Sequence, residues 1–103
     1  MMKYISTRGN APELTFEDVL LTGLATDGGL YVPKDVPKYS LEEIESWRDL
    51  PYTVLAHKVV YPFVEGCVES DALKGMLEDI YNNSNFGHKA IAPLQQLDHN
   101  EYV

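Results

Sequence analysis

The chain has 103 residues, 45% apolar and 11% aromatic, with 16 acidic against 8 basic side chains and a formal net charge of −8. That charge repels phosphate backbones and anionic lipid, which argues against nucleic-acid and membrane partners, and no apolar run approaches the roughly 20 residues of a membrane span. The length fits a single domain, residues 1–103, whose core is expected to bury roughly two-thirds of the unfolded surface, and the lone Cys67 excludes an internal disulfide, as in a reducing, cytoplasmic setting.

In chain order, Tyr4-Ile5-Ser6 is short and β-prone, and Arg8-Gly9-Asn10-Ala11-Pro12 turns the chain out of it. Thr15 is placed to cap a helix. The Asp18 carboxylate can reach back to the cap's backbone N–H, and Leu14 and Val19 stand at the positions of a hydrophobic staple. Phe16, Val19, Leu20 and Leu24 share one face of this helix, which is predicted to run to Ala25. Asp27-Gly28-Gly29 then ends it, because glycine accepts positive φ without steric cost. Leu30-Tyr31-Val32 is predicted as a short strand closed by Pro33, and Lys34 to Lys38 as a loop.

Ser40 repeats the start signal, with Glu43 three residues on and Tyr39 placed to staple Ile44; this helix is short and ends before Pro51. A third helix begins at Pro51 or Tyr52 and turns Leu55, Ala56, Val59, Val60, Phe63 and Val64 inward. Pro62 is expected to kink or end it near Tyr61, and Gly66 completes the stop. Ser70 is predicted to cap a fourth helix with the stripe Leu73, Met76, Leu77, Ile80 and Tyr81, ended by Asn82-Asn83-Ser84-Asn85. Pro93 to Leu97 and Glu101-Tyr102-Val103 flank the turn Asp98-His99-Asn100 as a hairpin with a short second strand. The expected fold class is α+β: a small domain of about four helices packed on a short β-sheet.

Most familiar catalytic patterns are missing. His57, Cys67, His88 and His99 lack the spacing of about two to five residues that paired zinc ligands keep, so no metal site is expected. Nothing local supports a cysteine–histidine dyad, and a lone cysteine usually just packs. Gly28-Gly29 lacks the wider glycine spacing of a phosphate loop and, taken alone, is a tight turn between helix and strand. The pairs Glu42-Glu43 and Glu78-Asp79 read as solvated helix faces. Ser6-Thr7-Arg8-Gly9 has more chemical character, since a loop arginine beside hydroxyls and a glycine can offer a forked donor and backbone N–H groups to an anion. On local grounds an exposed arginine with a turn behind it is the simpler reading.

The combination goes further. Tyr4-Ile5-Ser6-Thr7-Arg8-Gly9, the run from Phe16 to Ala25, and Asp27-Gly28-Gly29-Leu30-Tyr31-Val32-Pro33 stand in this order with short gaps, and together they resemble the opening of the threonine synthase family. Val60-Tyr61-Pro62-Phe63-Val64, the helix ending Ile80-Tyr81, and Pro93 to Leu97 are similar to it more loosely, so the likeness spans the chain. Two departures are minor: Asn82 to Lys89 is more polar than the family pattern, and Thr26 stands where proline is usual.

The resemblance implies the amino-terminal domain of a fold-type-II lyase that uses pyridoxal phosphate to convert O-phospho-L-homoserine and water to L-threonine and phosphate. In that family the cofactor lysine lies in a later stretch of the Phe-Lys-Asp kind, and none of Lys3, Lys34, Lys38, Lys58, Lys74 and Lys89 has such a neighbourhood. The chain is therefore expected to stop before that lysine, to carry no catalytic residue, to bind no pyridoxal phosphate by itself, and to pack on the catalytic domain. Thr7, Arg8, Asp27, Gly28 and Gly29 are the candidates for lining the substrate cleft, with Arg8 meeting the phosphate through its fork. Two other readings stay open: a stand-alone interaction or regulatory module, and a related phospho-lyase with a different substrate.

Overall fold

A computed structural model describes residues 1–82, 84–87 and 90–103. Asn83, expected to help end the fourth helix, lies outside the described residues, as do His88 and Lys89, weighed above as a metal ligand and a cofactor lysine. The class is α+β. The order is β1 (Tyr4–Ser6), α1 (Phe16–Thr22), β2 (Tyr31–Pro33), α2 (Leu41–Ser46), α3 (Tyr52–Val64), α4 (Ser70–Ile80), β3 (Gln96–Asp98) and β4 (Glu101–Tyr102). The strands form two separate antiparallel pairs, β1 with β2 and β3 with β4.

Local signals set most of the helix starts. Thr15 caps α1 and Ser40 caps α2, each hydroxyl accepting from the backbone N–H three residues on. The Asp18 carboxylate does not reach the cap's N–H; it accepts from the Thr15 hydroxyl at 3.1 Å. α1 also stops short of Ala25. Gly23 takes φ +75 and donates its N–H to the Val19 carbonyl, so Leu24 leaves the helical face and stands exposed with Leu20. Tyr39 packs edge-on against Trp47 at 4.8 Å, while Ile44, the expected staple partner, is half-exposed.

Two further expectations are corrected. α3 continues through Pro62 to Val64. Proline there removes one N–H, the donor to the Lys58 carbonyl, and the Tyr39 hydroxyl donates to that oxygen instead, at 3.4 Å. Ser70 is the first residue of α4 and not its cap; Glu69 holds the cap position without a side-chain bond. The Ser70 hydroxyl lies 3.0 Å from His57 Nε2, which draws it toward α3.

The core is small. Val64, Leu73 and Leu77 are buried where α3 crosses α4, with Phe16, Ala56, Val60, Tyr61, Val68 and Tyr81 packed around them. Met76 and Ile80, expected in the same stripe, are about half-exposed. Tyr4 ties the first strand pair to this core through its ring, 6.2 Å from that of Phe16, and its hydroxyl, which donates to the Phe63 carbonyl.

The expected two-thirds burial is not reached. The accessible surface is 7809 Å², whereas a compact monomer of 11.6 kDa leaves about 5,800 Å² and its unfolded chain about 16,800 Å², so only about half is buried. The radius of gyration, 16.7 Å, likewise exceeds the about 13 Å of a compact chain this long. The physical reason is outward-facing leucine: Leu20, Leu21, Leu24, Leu41, Leu94 and Leu97 are each between 65% and 83% exposed.

Candidate functional site

Strand register creates the site. β1 pairs with β2 so that Ser6 lies opposite Tyr31. The loop leaving β1, residues 7–10, therefore meets the turn that enters β2, residues 27–30. The Thr7 N–H donates to the Leu30 carbonyl at 2.8 Å, and the Leu30 N–H donates back to Thr7 Oγ1 at 3.0 Å. All five candidate residues, Thr7, Arg8, Asp27, Gly28 and Gly29, are brought together here.

Asp27 is the hub of the arrangement. Its carboxylate accepts from the Ser6 hydroxyl at 2.7 and 2.8 Å, from the Gly29 N–H at 2.9 Å and from the Asn10 N–H at 2.9 Å. The Ser6 hydrogen bond foremost, then the Gly29 N–H, holds this carboxyl below the usual aspartate range. A carboxylate so engaged by its own chain organises the loops.

Arg8 is different. It is exposed, and its Nη1 donates to the Asp27 carbonyl at 3.1 Å. The rest of the fork meets no acceptor among the described residues, which leaves donors for an anion. Thr7 is exposed beside it, and its hydroxyl, accepting from Leu30, keeps a hydrogen to donate.

The two glycines make this proximity possible. Gly28 has φ +83, and a Cβ on it would stand 2.9 Å from Arg8 Nη1. A Cβ on Gly29 would stand 2.5 Å from Ser6 Oγ and 3.0 Å from Thr7 Oγ1. Positive φ requires glycine at position 28, and the close approach of the loops requires it at position 29.

Ser6 and Asn10 are members of the network that the motif reading did not assign to the site. Ser6 was within reach of sequence reasoning: strand alternation puts it on the same face as Tyr4, both are buried, and a buried hydroxyl calls for a partner. Asn10 contributes a backbone N–H, which no side-chain pattern announces.

Elsewhere, a groove of about 240 Å³ lies between α3 and α4, lined by Thr53, Val54, His57, Lys58, Ser70, Lys74 and Glu78. It shares no residue with the Asp27 loops. Its His57–Ser70 pair has no carboxylate bonded to the far imidazole nitrogen among the described residues, and Nε2 also meets the Ser70 carbonyl at 3.1 Å. That geometry ties α4 to α3 and falls short of a nucleophile triad. No group of three His, Cys, Asp or Glu side chains among the described residues could hold a metal ion.

A lysine that carries pyridoxal phosphate needs burial or neighbouring charge that lowers its pKa. Lys3, Lys34, Lys38, Lys58 and Lys74 are all exposed, and Lys34, paired with Glu13 at 2.7 Å, is shifted upward instead. The described lysines do not fit that cofactor. No helix among the described residues is long and apolar enough to cross a membrane.

Comparison with known proteins gives a consistent picture. The family described as threonine synthase N terminus matches residues 3–81. A threonine synthase of Pseudomonas aeruginosa is 57% identical over 99% of this chain and 21% of its own length. A threonine synthase-like 2 protein of Xenopus laevis is 35% identical over 93% of the chain and 20% of its own length. Among solved structures, the pyridoxal-phosphate-bound threonine synthase of Brucella melitensis superposes on the whole chain with a TM-score of 0.88 and 44% identity, covering 22% of that protein. The chain thus spans about a fifth of the length of the relatives it matches.

Proposed function

This chain belongs to the threonine synthase N-terminal family, and from that premise we propose that residues 1–103 form the amino-terminal domain of a threonine synthase. The whole protein converts O-phospho-L-homoserine and water to L-threonine and inorganic phosphate in the cytoplasm. Pyridoxal phosphate, held by the larger body on which this domain packs, supplies the electron sink that the reaction needs. The domain's own part is to bind and orient.

The observation that carries this reading is the Arg8 fork, presented from a loop whose geometry Asp27 holds. A bidentate guanidinium suits a phosphate monoester. The neighbouring Thr7 hydroxyl adds a donor, while Gly28 and Gly29 admit the close packing behind it. Substrate contact is assigned to Arg8 and Thr7; Asp27, Gly28 and Gly29 hold them in place. Docking on a larger body agrees with the outward leucines, which a free-standing module would bury or replace.

The test is Arg8→Ala in the protein as its gene encodes it. KM for O-phospho-L-homoserine should rise about tenfold to a hundredfold, as expected for loss of a charge-assisted phosphate contact. Unchanged kcat and KM would sink the reading. The likeness to threonine synthase-like 2 proteins keeps a second reading, a phospho-lyase with another substrate. Release of phosphate from O-phospho-L-homoserine with formation of threonine separates the two.

A further inference from the structure

We propose that Ser6 is a positioning residue for the substrate's phosphate, fixing the Arg8 main chain to the Asp27 carboxylate. The proposal rests on the assignment of Arg8 to that phosphate and deepens it.

The geometry is specific. The Ser6 hydroxyl has one hydrogen, directed to the Asp27 carboxylate at 2.7 Å, and the same oxygen accepts the Arg8 backbone N–H at 3.1 Å. The carboxylate also accepts the Asn10 N–H. Ser6 and Asn10 stand two residues before and after Arg8, so a single carboxylate holds both flanks of the arginine. The Asp27 carbonyl then takes the guanidinium itself. Main chain and side chain of Arg8 are thus referred to one residue of the opposite loop.

Ser6 is 4% exposed, and Gly29 presses against its oxygen closely enough that a Cβ would stand 2.5 Å away. Without the Ser6 hydroxyl, the Arg8 N–H loses its acceptor and the carboxylate keeps the Gly29 and Asn10 N–H donors alone, so the loop gains freedom that binding must then remove. The effect belongs in substrate affinity, because an arginine that must be ordered afresh binds phosphate more weakly without altering bond making.

The experiment measures KM for O-phospho-L-homoserine and the inhibition constant of inorganic phosphate in the protein as its gene encodes it, for Ser6→Ala, Arg8→Ala and the double variant. Ser6→Ala should raise both constants about tenfold while kcat falls less than about threefold. In the Arg8→Ala background it should add less than about twofold, since both changes remove the same interaction. A Ser6→Ala variant that lowers Tm but leaves both constants alone, or whose effect multiplies fully in the double variant, overturns the proposal. If Arg8→Ala is itself silent, the phosphate assignment falls and takes the proposal with it; if Arg8→Ala acts and Ser6→Ala does not, only the positioning role falls. Should Ser6→Ala fail to fold, Ser6→Cys fills the space with a weaker donor and acceptor and is judged by the same criteria.

Discussion

The Tyr4 hydroxyl donates to the Phe63 carbonyl, joining β1 to the last turn of α3 across 59 residues of chain. Carbonyls in a helix's final turn have no helical N–H to receive, and the buried Tyr4 supplies the missing donor. Tyr4→Phe keeps the ring packing against Phe16 and removes only this bond. Stability should fall by about 1–2 kcal/mol, read as a lower urea midpoint at unchanged m. No change in midpoint would show that the bond contributes nothing.

The same residue predicts an alkaline limit. Burial, and after it the proximity of Cys67, pushes the Tyr4 phenol above its ordinary range. The folded state then keeps its proton to higher pH than the unfolded state, whose tyrosine titrates near about 10. Stability from this group is complete below that pH and declines as pH rises through the folded value. Denaturant titrations from about pH 8 to 11 should show a shallower decline for Tyr4→Phe than for the parent. Parallel curves would contradict the assignment.

Asp27 works in the opposite sense. Its carboxyl is held low by Ser6 and the Gly29 N–H, so the folded state prefers the charged form. Its contribution is present above the unfolded aspartate value of about 3.9 and is lost as pH falls through the lower folded value. Asp27→Asn should flatten stability below about pH 4 and lower it at neutral pH, because the amide nitrogen turns a donor toward Ser6 or the Asn10 N–H. An unaltered acid profile in the variant would exclude Asp27 as the group responsible.

The paired glycines should separate stability from affinity. Gly29→Ala drives a Cβ into Ser6 Oγ, Asp27 Oδ1 and Thr7 Oγ1, short side-chain ends that are all tied into the hydrogen-bond network. It should cost about 2 kcal/mol or more, as overpacking does. Gly28→Ala meets the mobile end of Arg8, so its stability cost is the about 1–2 kcal/mol of left-handed backbone. Its larger effect should be a raised KM, since the guanidinium must move. Thermal melts and steady-state kinetics on both variants decide the matter; equal effects on both quantities would refute the separation.

Features governed by neighbours in sequence were legible. The Ser40 cap, the buried pair Leu73 and Leu77 and the β1 strand depend on residues a few positions apart, and each stands where the pattern put it. The errors arise where a distant partner intervenes. Ser70 carries a cap's side chain, but His57 from the preceding helix holds its hydroxyl. Pro62 carries a breaker's ring, but it falls in the last turn, where the single orphaned carbonyl finds Tyr39. Gly23 ended α1 ahead of the stronger-looking Asp27-Gly28-Gly29 because a helix stops at the first residue that turns left-handed. The candidate site follows the same division. Its residue types were visible in the Ser6-Thr7-Arg8-Gly9 and Asp27-Gly28-Gly29 segments, whereas the carboxylate that joins those segments became visible only with the β1–β2 register.

The surface predicts how residues 1–103 behave alone. Leu20, Leu21 and Leu24 lie in and just beyond α1, Leu94 precedes β3 and Leu97 lies within it, all mostly exposed. A monomer of this size leaves roughly 2,000 Å² less surface than this chain does. That excess is of the order that obligate interfaces bury. In the whole protein a larger body can cover it, whereas in the isolated chain only other copies or denatured neighbours can. Net charge of −8 opposes association at low salt, so added salt should promote it by screening, opposite to an assembly held by ion pairs. Sedimentation velocity of residues 1–103 should therefore show mass rising with concentration and with ionic strength. A monomer at every concentration and salt level would mean that the exposed leucines find cover within the chain itself.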